Sequence, residues 1–418
     1  MADLSHDPDL MFDFWAEPKG PFLAPLAAKV TERVLRVLGA NRQRDPKGEQ
    51  VERVIVIVST VIANLAVLHG SYLYGRRIAV PLKHEATSRY NRQGFGSLKA
   101  VLQAMAEMGC LIISPAIPKV RRTGIEADGW LLRALLKPDN KPTAIGRAYG
   151  EETVRLFART GRDAQGRRKP SAAIDYKDTP ETTAMRAEMD RVNRYLNYQR
   201  IELYGEHQGD IRLFRSFMLR SETDPHRFDL HGRLYGGFWM NLRKDLRTGL
   251  TINGETIADL DYVSMFPRLA YLRVGLEPPR GDLYDIPGLE QHRAAAKIGF
   301  SALLSRAGEM RRLPADLKDV LPQGWTASAF QAAVAARHPA LVPLFGRDLA
   351  PDLMFTESRL LLAVMAELER QGVVALPMHD GIMVPGSKAD VAMAAMKGKA
   401  ERLLGHVLPV SVKPMLAS

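Results

Sequence analysis

The feature that most constrains this chain is the stretch Ala258-Asp259-Leu260-Asp261-Tyr262-Val263-Ser264-Met265-Phe266-Pro267-Arg268. Gly254 to Leu260 mixes apolar and acidic residues in a way that suits a strand. Ser264 to Val274 is apolar enough for a buried helix, with Pro267 tolerable in its first turn. A carboxylate at the end of a buried strand is costly unless something cationic sits on it, and a divalent metal would serve. Side chains on a strand repeat every second residue, so Asp259 and Asp261 share a face. The pattern leaves open which of the two is the principal ligand. A second acidic centre lies far downstream, in Leu376-Pro377-Met378-His379-Asp380-Gly381-Ile382-Met383-Val384-Pro385. It predicts strand, tight turn and strand, with Asp380 at the tip. Two carboxylates at neighbouring strand tips suit phosphoryl chemistry on two metals, which lie about 3.5–4 Å apart and stabilise both the attacking and the leaving oxygen.

Composition bounds the rest. A chain of 418 residues, 46% hydrophobic and 25% charged, has the make-up of an ordinary globular protein and the length for roughly two or three domains. Lys plus Arg exceed Asp plus Glu by 58 − 47 = 11, which points to a polyanionic partner such as nucleic acid; a generic basic protein fits the charge as well. The single cysteine, Cys110, excludes an intramolecular disulfide and a cysteine zinc cluster. Met1 to Pro8 is acidic, unlike the basic start of a secretory signal, so a cytoplasmic location is expected. The most apolar run, Val54 to Leu68, falls short of the ~20 residues that span a bilayer and predicts a core helix, with no membrane partner.

Asp261 to Arg268 resembles motif A of template-dependent polymerases. It is close to the family B form, D-x-x-S-L-Y-P, and matches the family A form, D-Y-S-Q-I-E-L-R, at Asp261, Tyr262 and Arg268. His379-Asp380 in its hairpin resembles motif C of family A DNA polymerases and of single-subunit RNA polymerases. Between them, Arg293 and Lys297 stand four apart on one predicted helix face, where two cations suit a triphosphate. That segment resembles motif B of family A. It departs where the family places a base-stacking aromatic: Ser301 stands there, Phe300 is one residue early, and Ser305 replaces a tyrosine. His231 to Trp239, running into Arg243, Lys244 and Arg247, resembles the family A T-G-R-L segment, although a turn in a hairpin reads equally well. The resemblance covers Arg227 to the C-terminus.

What the resemblance implies is an α+β polymerase right hand: a palm with an antiparallel sheet at 227–275 and 350–418, helical fingers at 276–349, and a thumb-like 178–226. It implies two Mg²⁺ ions, Mn²⁺ able to substitute, on Asp261 and Asp380 with Asp259 nearby, and His379 beside the primer end. Nucleotide contacts fall to Arg293, Lys297, Phe266 and Tyr262. Contacts to DNA primer-template fall to Arg233, Arg268, Tyr235 and Arg243. In the family B motif the residue equivalent to Phe266 packs under the incoming sugar and leaves no room for a 2′-hydroxyl, so Phe266 predicts dNTPs as substrates. Asp282 and Asp285 are read as loop residues rather than ligands. Two other readings stand beside a DNA polymerase: a primase or single-subunit RNA polymerase, and a non-catalytic replication-initiation protein.

The N-terminal 1–160 is expected to be mainly helical. Arg76 to Ile113, a capped helix from Leu98 to Met108, a strand at Leu111 to Ser114 and a basic hairpin at Lys119 to Gly124 have the order of a winged helix. Arg89, Arg92, Lys99, Arg121 and Arg122 would then meet phosphates; an ordinary helical domain with a basic face fits the same residues. The Gly- and Arg-rich 161–177 predicts a linker. A helix follows it, with Asp178 as N-cap and Met185, Met189, Val192 and Leu196 as its apolar stripe. No paired-acid D-x-E signature precedes Gly150, so no proofreading exonuclease is expected. The oligomeric state is open.

Overall fold

The computed structural model describes residues 9–40, 48–70, 77–82, 89–117, 121–137, 144–161 and 169–413. The acidic start, most of the loop at 41–50, the hairpin tip at 118–120 and the middle of the expected linker, 162–168, lie outside them. The chain is a mixed α and β structure with several sheets, in keeping with an α+β class. It packs as two units that do not divide at a single cut near 160. Unit 1 comprises Met1–Thr153, Leu196–Arg212 and Asn241–Thr251; unit 2 comprises Val154–Tyr195, Leu213–Met240 and Ile252–Ser418.

Unit 1 is built on helices α1 (Gly20–Gly39), α2 (Gly48–Gly70) and α3 (Leu98–Glu107). A four-stranded sheet runs in the order β1 (Leu10–Met11), β2 (Ile78–Val80), β4 (Thr123–Ala127), β3 (Leu111–Ser114). Only the β1–β2 pairing is parallel. Leu23, Val30, Val34, Ile57, Ile62, Leu102, Met105 and Ile125 meet in one core. By length and composition α2 could cross a membrane, yet 61% of its most apolar window is buried within the protein. That is the burial of a core helix and is compatible with a chain that has no membrane partner. Ser97 does not cap α3 through its side chain; a 3-10 turn at Phe95–Ser97 feeds the helix instead.

In unit 2 the strand predicted up to Leu260 extends two residues further, as β9 (Glu255–Tyr262). It is flanked by β11 (Gly381–Pro385) and β12 (Val410–Lys413), and β10 (Leu376–Met378) lies outside β11. All these pairings are antiparallel. A second sheet has the order β8 (His231–Tyr235), β7 (Phe214–Leu219), β5 (Val154–Ala158), β6 (Ala172–Ala173). The last of these corrects the linker reading. Within 161–177, Ala172–Ala173 pairs with β5, and the buried Tyr176 donates to the Val154 carbonyl at 2.6 Å.

The longer helices of unit 2 are α4 (Pro180–Asn197), α5 (Met265–Arg273), α6 (Arg293–Ser305), α7 (Ala327–Arg337), α8 (Ala350–Arg370) and α9 (Ala389–Leu404). Asp178 is not the cap of α4. Thr179 and Thr182 exchange hydrogen bonds there, while Asp178 pairs with Arg186. Helix α8 buries Leu353, Leu360, Leu361, Val364, Met365 and Leu368 and packs on β8, α9 and α5. The approach to β8 is close enough that only glycine fits at 232. Its φ is +70°, and a β-carbon there would lie 2.9 Å from Ser358 Oγ.

Candidate active site

The antiparallel register sets the centre of the site. Asp261 on β9 stands opposite Gly381 on β11 and Ser411 on β12. The Tyr262 amide donates to the Asp380 carbonyl at 3.3 Å, tying β9 to the His379-Asp380 turn. Gly381 has to be glycine, because a β-carbon would run into the Asp261 carboxylate and the Leu260 carbonyl. Both turning points hold non-glycine residues in the left-handed region: Ser264 at φ 51° and His379 at φ 56°. Such backbone costs on the order of 1–3 kcal/mol and persists only where surroundings enforce it.

Asp261, Asp380 and His379 line one cavity of about 400 Å³, together with Phe266, Tyr284, Arg293, Lys297, Ser301, Arg233, Glu357 and Lys413. Asp259 does not line it. Its carboxylate is buried behind Asp261, at 5% exposure. Of the two carboxylates that share the strand face, Asp261 is the one that reaches the cavity. Burial raises the Asp261 carboxyl above its ordinary range, and the neighbouring Asp380 charge raises it further; Lys413 works in the opposite sense. Lys413 Nζ lies 2.5 Å from Asp261 Oδ2 and 3.6 Å from Asp259 Oδ1.

These residues fit a hard divalent ion. Asp261 Oδ1 is buried and accepts no hydrogen bond among the described residues. An unmade bond on such an atom costs about 1–3 kcal/mol or more for a charge, and a cation relieves it. Among the described residues no three His, Cys, Asp or Glu side chains form a ready-made cage. Magnesium does not ask for one, because it is usually held by one or two carboxylates with water and substrate phosphate.

Two cations face this centre from α6. Lys297 is exposed on the cavity side, with no ion pair among the described residues. Arg293 instead forks onto Asp282 and covers the Tyr284 ring, 5.3 Å from its centroid. Asp282 also accepts from Ser264 Oγ at 3.2 Å, so one loop carboxylate anchors both the helix cation and the start of α5. Phe300 takes no part. It is fully buried, edge-on to His338 and Phe345, and Ser301 is the residue on the cavity wall.

Arg233 on β8 grips Glu357 on α8 through both carboxylate oxygens, at 2.7 and 3.0 Å. Glu357 is 1% exposed, and burial outweighs the arginine, pushing its carboxyl up to about 7. The same guanidinium lies 5.6 Å from the centroid of the Phe266 ring.

The remaining expected contacts are disposed differently. Tyr262 borders the cavity but is 4% exposed and gives its hydroxyl to the Met396 carbonyl at 2.7 Å, so its polar group is spent in the core. Arg268 is buried and donates to the carbonyls of Val263, Pro279 and Gly281. It fastens the α5 turn to the following loop and is no surface for nucleic acid. Tyr235 stacks on His231 and stands 6.4 Å from the His379 ring. Arg243 is in unit 1, exposed and paired with Asp245. Arg121 and Arg122 are exposed on unit 1, as a phosphate contact requires, whereas Arg92 turns inward to Glu17, Thr60 and the Phe14 carbonyl. Arg89 pairs with the buried Glu152 at 3.5 Å.

Glu357 and Lys413 escaped the sequence reading. Glu357 continues the α8 stripe one turn back from Leu361, where an acid in an apolar register signals a buried partner. Lys413 closes Val410-Ser411-Val412-Lys413, whose alternation is that of a strand. Comparison with protein-family models and with curated proteins finds no match for this chain.

Proposed function

We propose that unit 2 is the catalytic body of a template-directed DNA polymerase without a proofreading exonuclease, related to family A through its palm. One observation carries the reading: two carboxylates from segments far apart in sequence, Asp261 and Asp380, line a single cavity with Lys297, Arg293 and Phe266. In this reading the sheet of β9 to β12 with α8 and α9 is the palm, and α6 and α7 belong to the fingers.

Two Mg²⁺ ions, with Mn²⁺ able to substitute, would supply activation of the primer 3′-hydroxyl and neutralisation of the leaving pyrophosphate. Asp261 and Asp380 would hold them. Lys297 meets the triphosphate of the incoming dNTP, and Arg293 joins it while keeping its hold on Asp282. Phe266 lies under the sugar and rejects a 2′-hydroxyl by overlap. Arg233, kept in place by Glu357, faces the primer-template. The order β2-β4-β3 around α3 supports a winged-helix reading of unit 1, with the exposed Arg121 and Arg122 on its hairpin as DNA-backbone contacts.

Primer extension on a DNA template with Mg²⁺ tests this. Wild type extends with dNTPs and Asp261→Asn or Asp380→Asn does not. Extension with rNTPs alone would instead favour an RNA-making enzyme. Binding without extension by either set would favour a non-catalytic initiation protein. Full elongation by the doubly substituted chain overturns the assignment.

A further inference from the structure

We propose that Lys413 is a built-in counter-cation of the carboxylate centre, one that limits how much divalent metal the centre takes up before a nucleotide arrives. The proposal rests on the reading of Asp261 and Asp380 as metal ligands.

The register places Lys413 directly opposite Asp259 and one step along the face from Asp261. Its ammonium bonds Asp261 Oδ2 at 2.5 Å and lies 3.6 Å from Asp259 Oδ1. Its side chain is 32% exposed, so the charge sits in the cavity wall rather than in open water. Charge-assisted contacts of this kind are strong, and screening by salt is weak where water is partly excluded. Only one oxygen of Asp261 is committed: Oδ2 accepts from Lys413, while Oδ1 remains without a hydrogen-bond partner among the described residues.

Charge bookkeeping gives this arrangement a consequence. Asp259, Asp261 and Asp380 bring three negative charges, and Lys413 together with Lys297 on the cavity wall cancels two. The Arg233–Glu357 and Arg293–Asp282 pairs are each neutral when ionised and change nothing in the sum. The residual negative charge of one is already balanced by a single divalent ion. A second divalent ion would face an excess of positive charge until a triphosphate brings its own negative charges. Lys413 thus makes full metal occupancy depend on the nucleotide, and it keeps two neighbouring carboxylates from repelling each other when metal is absent.

The test is Mn²⁺ binding to the full chain without nucleotide, followed by electron paramagnetic resonance of free Mn²⁺, with melting in EDTA as a second readout. Wild type should bind one ion. Lys413→Met should bind Mn²⁺ roughly tenfold more tightly or take up an additional ion, since a nearby like charge is removed. In EDTA the same variant should melt below wild type, and added Mn²⁺ should raise its melting point more than it raises that of wild type. Lys413→Arg, which keeps the charge, should behave as wild type. Should Lys413→Met not fold, Lys413→Gln carries the same expectations. Affinity and stoichiometry unchanged in the neutral variant, while Asp261→Asn abolishes binding, would overturn the role of Lys413 alone. Binding that survives both Asp261→Asn and Asp380→Asn would overturn the metal centre itself.

Discussion

Replacing Glu357 by glutamine should flatten part of the pH dependence of stability, and the size of the effect follows from its burial. The carboxyl is 1% exposed and is pushed from an ordinary 4.5 up to about 7 even with Arg233 on both oxygens. A carboxyl that holds its proton more tightly when folded favours folding on the acid side. Its contribution is complete below about 4.5 and is lost as pH rises through about 7. At about 1.4 kcal/mol for each tenfold difference in proton affinity, the interval is worth about 3 kcal/mol. Glutamine has nearly the same shape and keeps one acceptor for Arg233, but it does not titrate. Wild type should therefore lose about 3 kcal/mol relative to Glu357→Gln between pH 4.5 and pH 8. Urea unfolding in EDTA measures this, in a background carrying Trp15→Phe and Trp130→Phe. Fluorescence then comes from Trp239 and Trp325, both in unit 2. A stability difference between the two chains that stays constant with pH, to within about 0.5 kcal/mol, or that grows in favour of wild type at high pH, refutes the reasoning.

Other substitutions probe single contacts. Lys297→Ala removes a charge-assisted contact to the triphosphate, worth about 1.5–3 kcal/mol, so kcat/KM for dNTPs should fall roughly 10- to 100-fold; an unchanged value counts against the nucleotide assignment. Phe266→Ala should raise rNTP incorporation relative to dNTP incorporation in single-turnover extension, and unaltered discrimination removes the steric gate. Arg268→Ala strips the donor from three carbonyls of the α5 turn. It should lower unfolding free energy by about 2–4 kcal/mol, measured by urea titration; an effect below about 0.5 kcal/mol would show those bonds to be of no consequence.

The parts legible in the sequence were those written in local pattern. The hairpin at Leu376 to Pro385, the helix ending before Gly372 and the strand that carries Asp261 each combine a periodic run with a turn residue. Sequence also placed Lys297 and Arg293 on one face, since their spacing alone decides that. The rest depended on distant partners. Spacing puts Tyr262 beside Asp261, but only packing under Met396 shows that its hydroxyl is used up. Arg268 reads as a cation in a motif until three backbone carbonyls claim it. Arg92 reads as a phosphate contact until Glu17 and Thr60, far back in the chain, take its guanidinium. The basic, Gly- and polar-rich character of 161–177 suggests a free connector, and strand pairing at Ala172–Ala173 draws its end onto a sheet.

The way the backbone threads the two units has a practical meaning. Leu196–Arg212 and Asn241–Thr251 are supplied to unit 1 by chain that has already entered unit 2. Within unit 1 the Arg212 guanidinium holds the Glu151 carbonyl at 2.9 Å, and Lys19 bridges to Asp210 at 2.6 Å. A fragment ending near residue 153 would lack both partners, and the remainder would carry two orphaned segments. Neither piece can be excised by one cut or exchanged as a cassette by a single recombination event. Dissecting the protein calls for grafting short linkers across the returning segments.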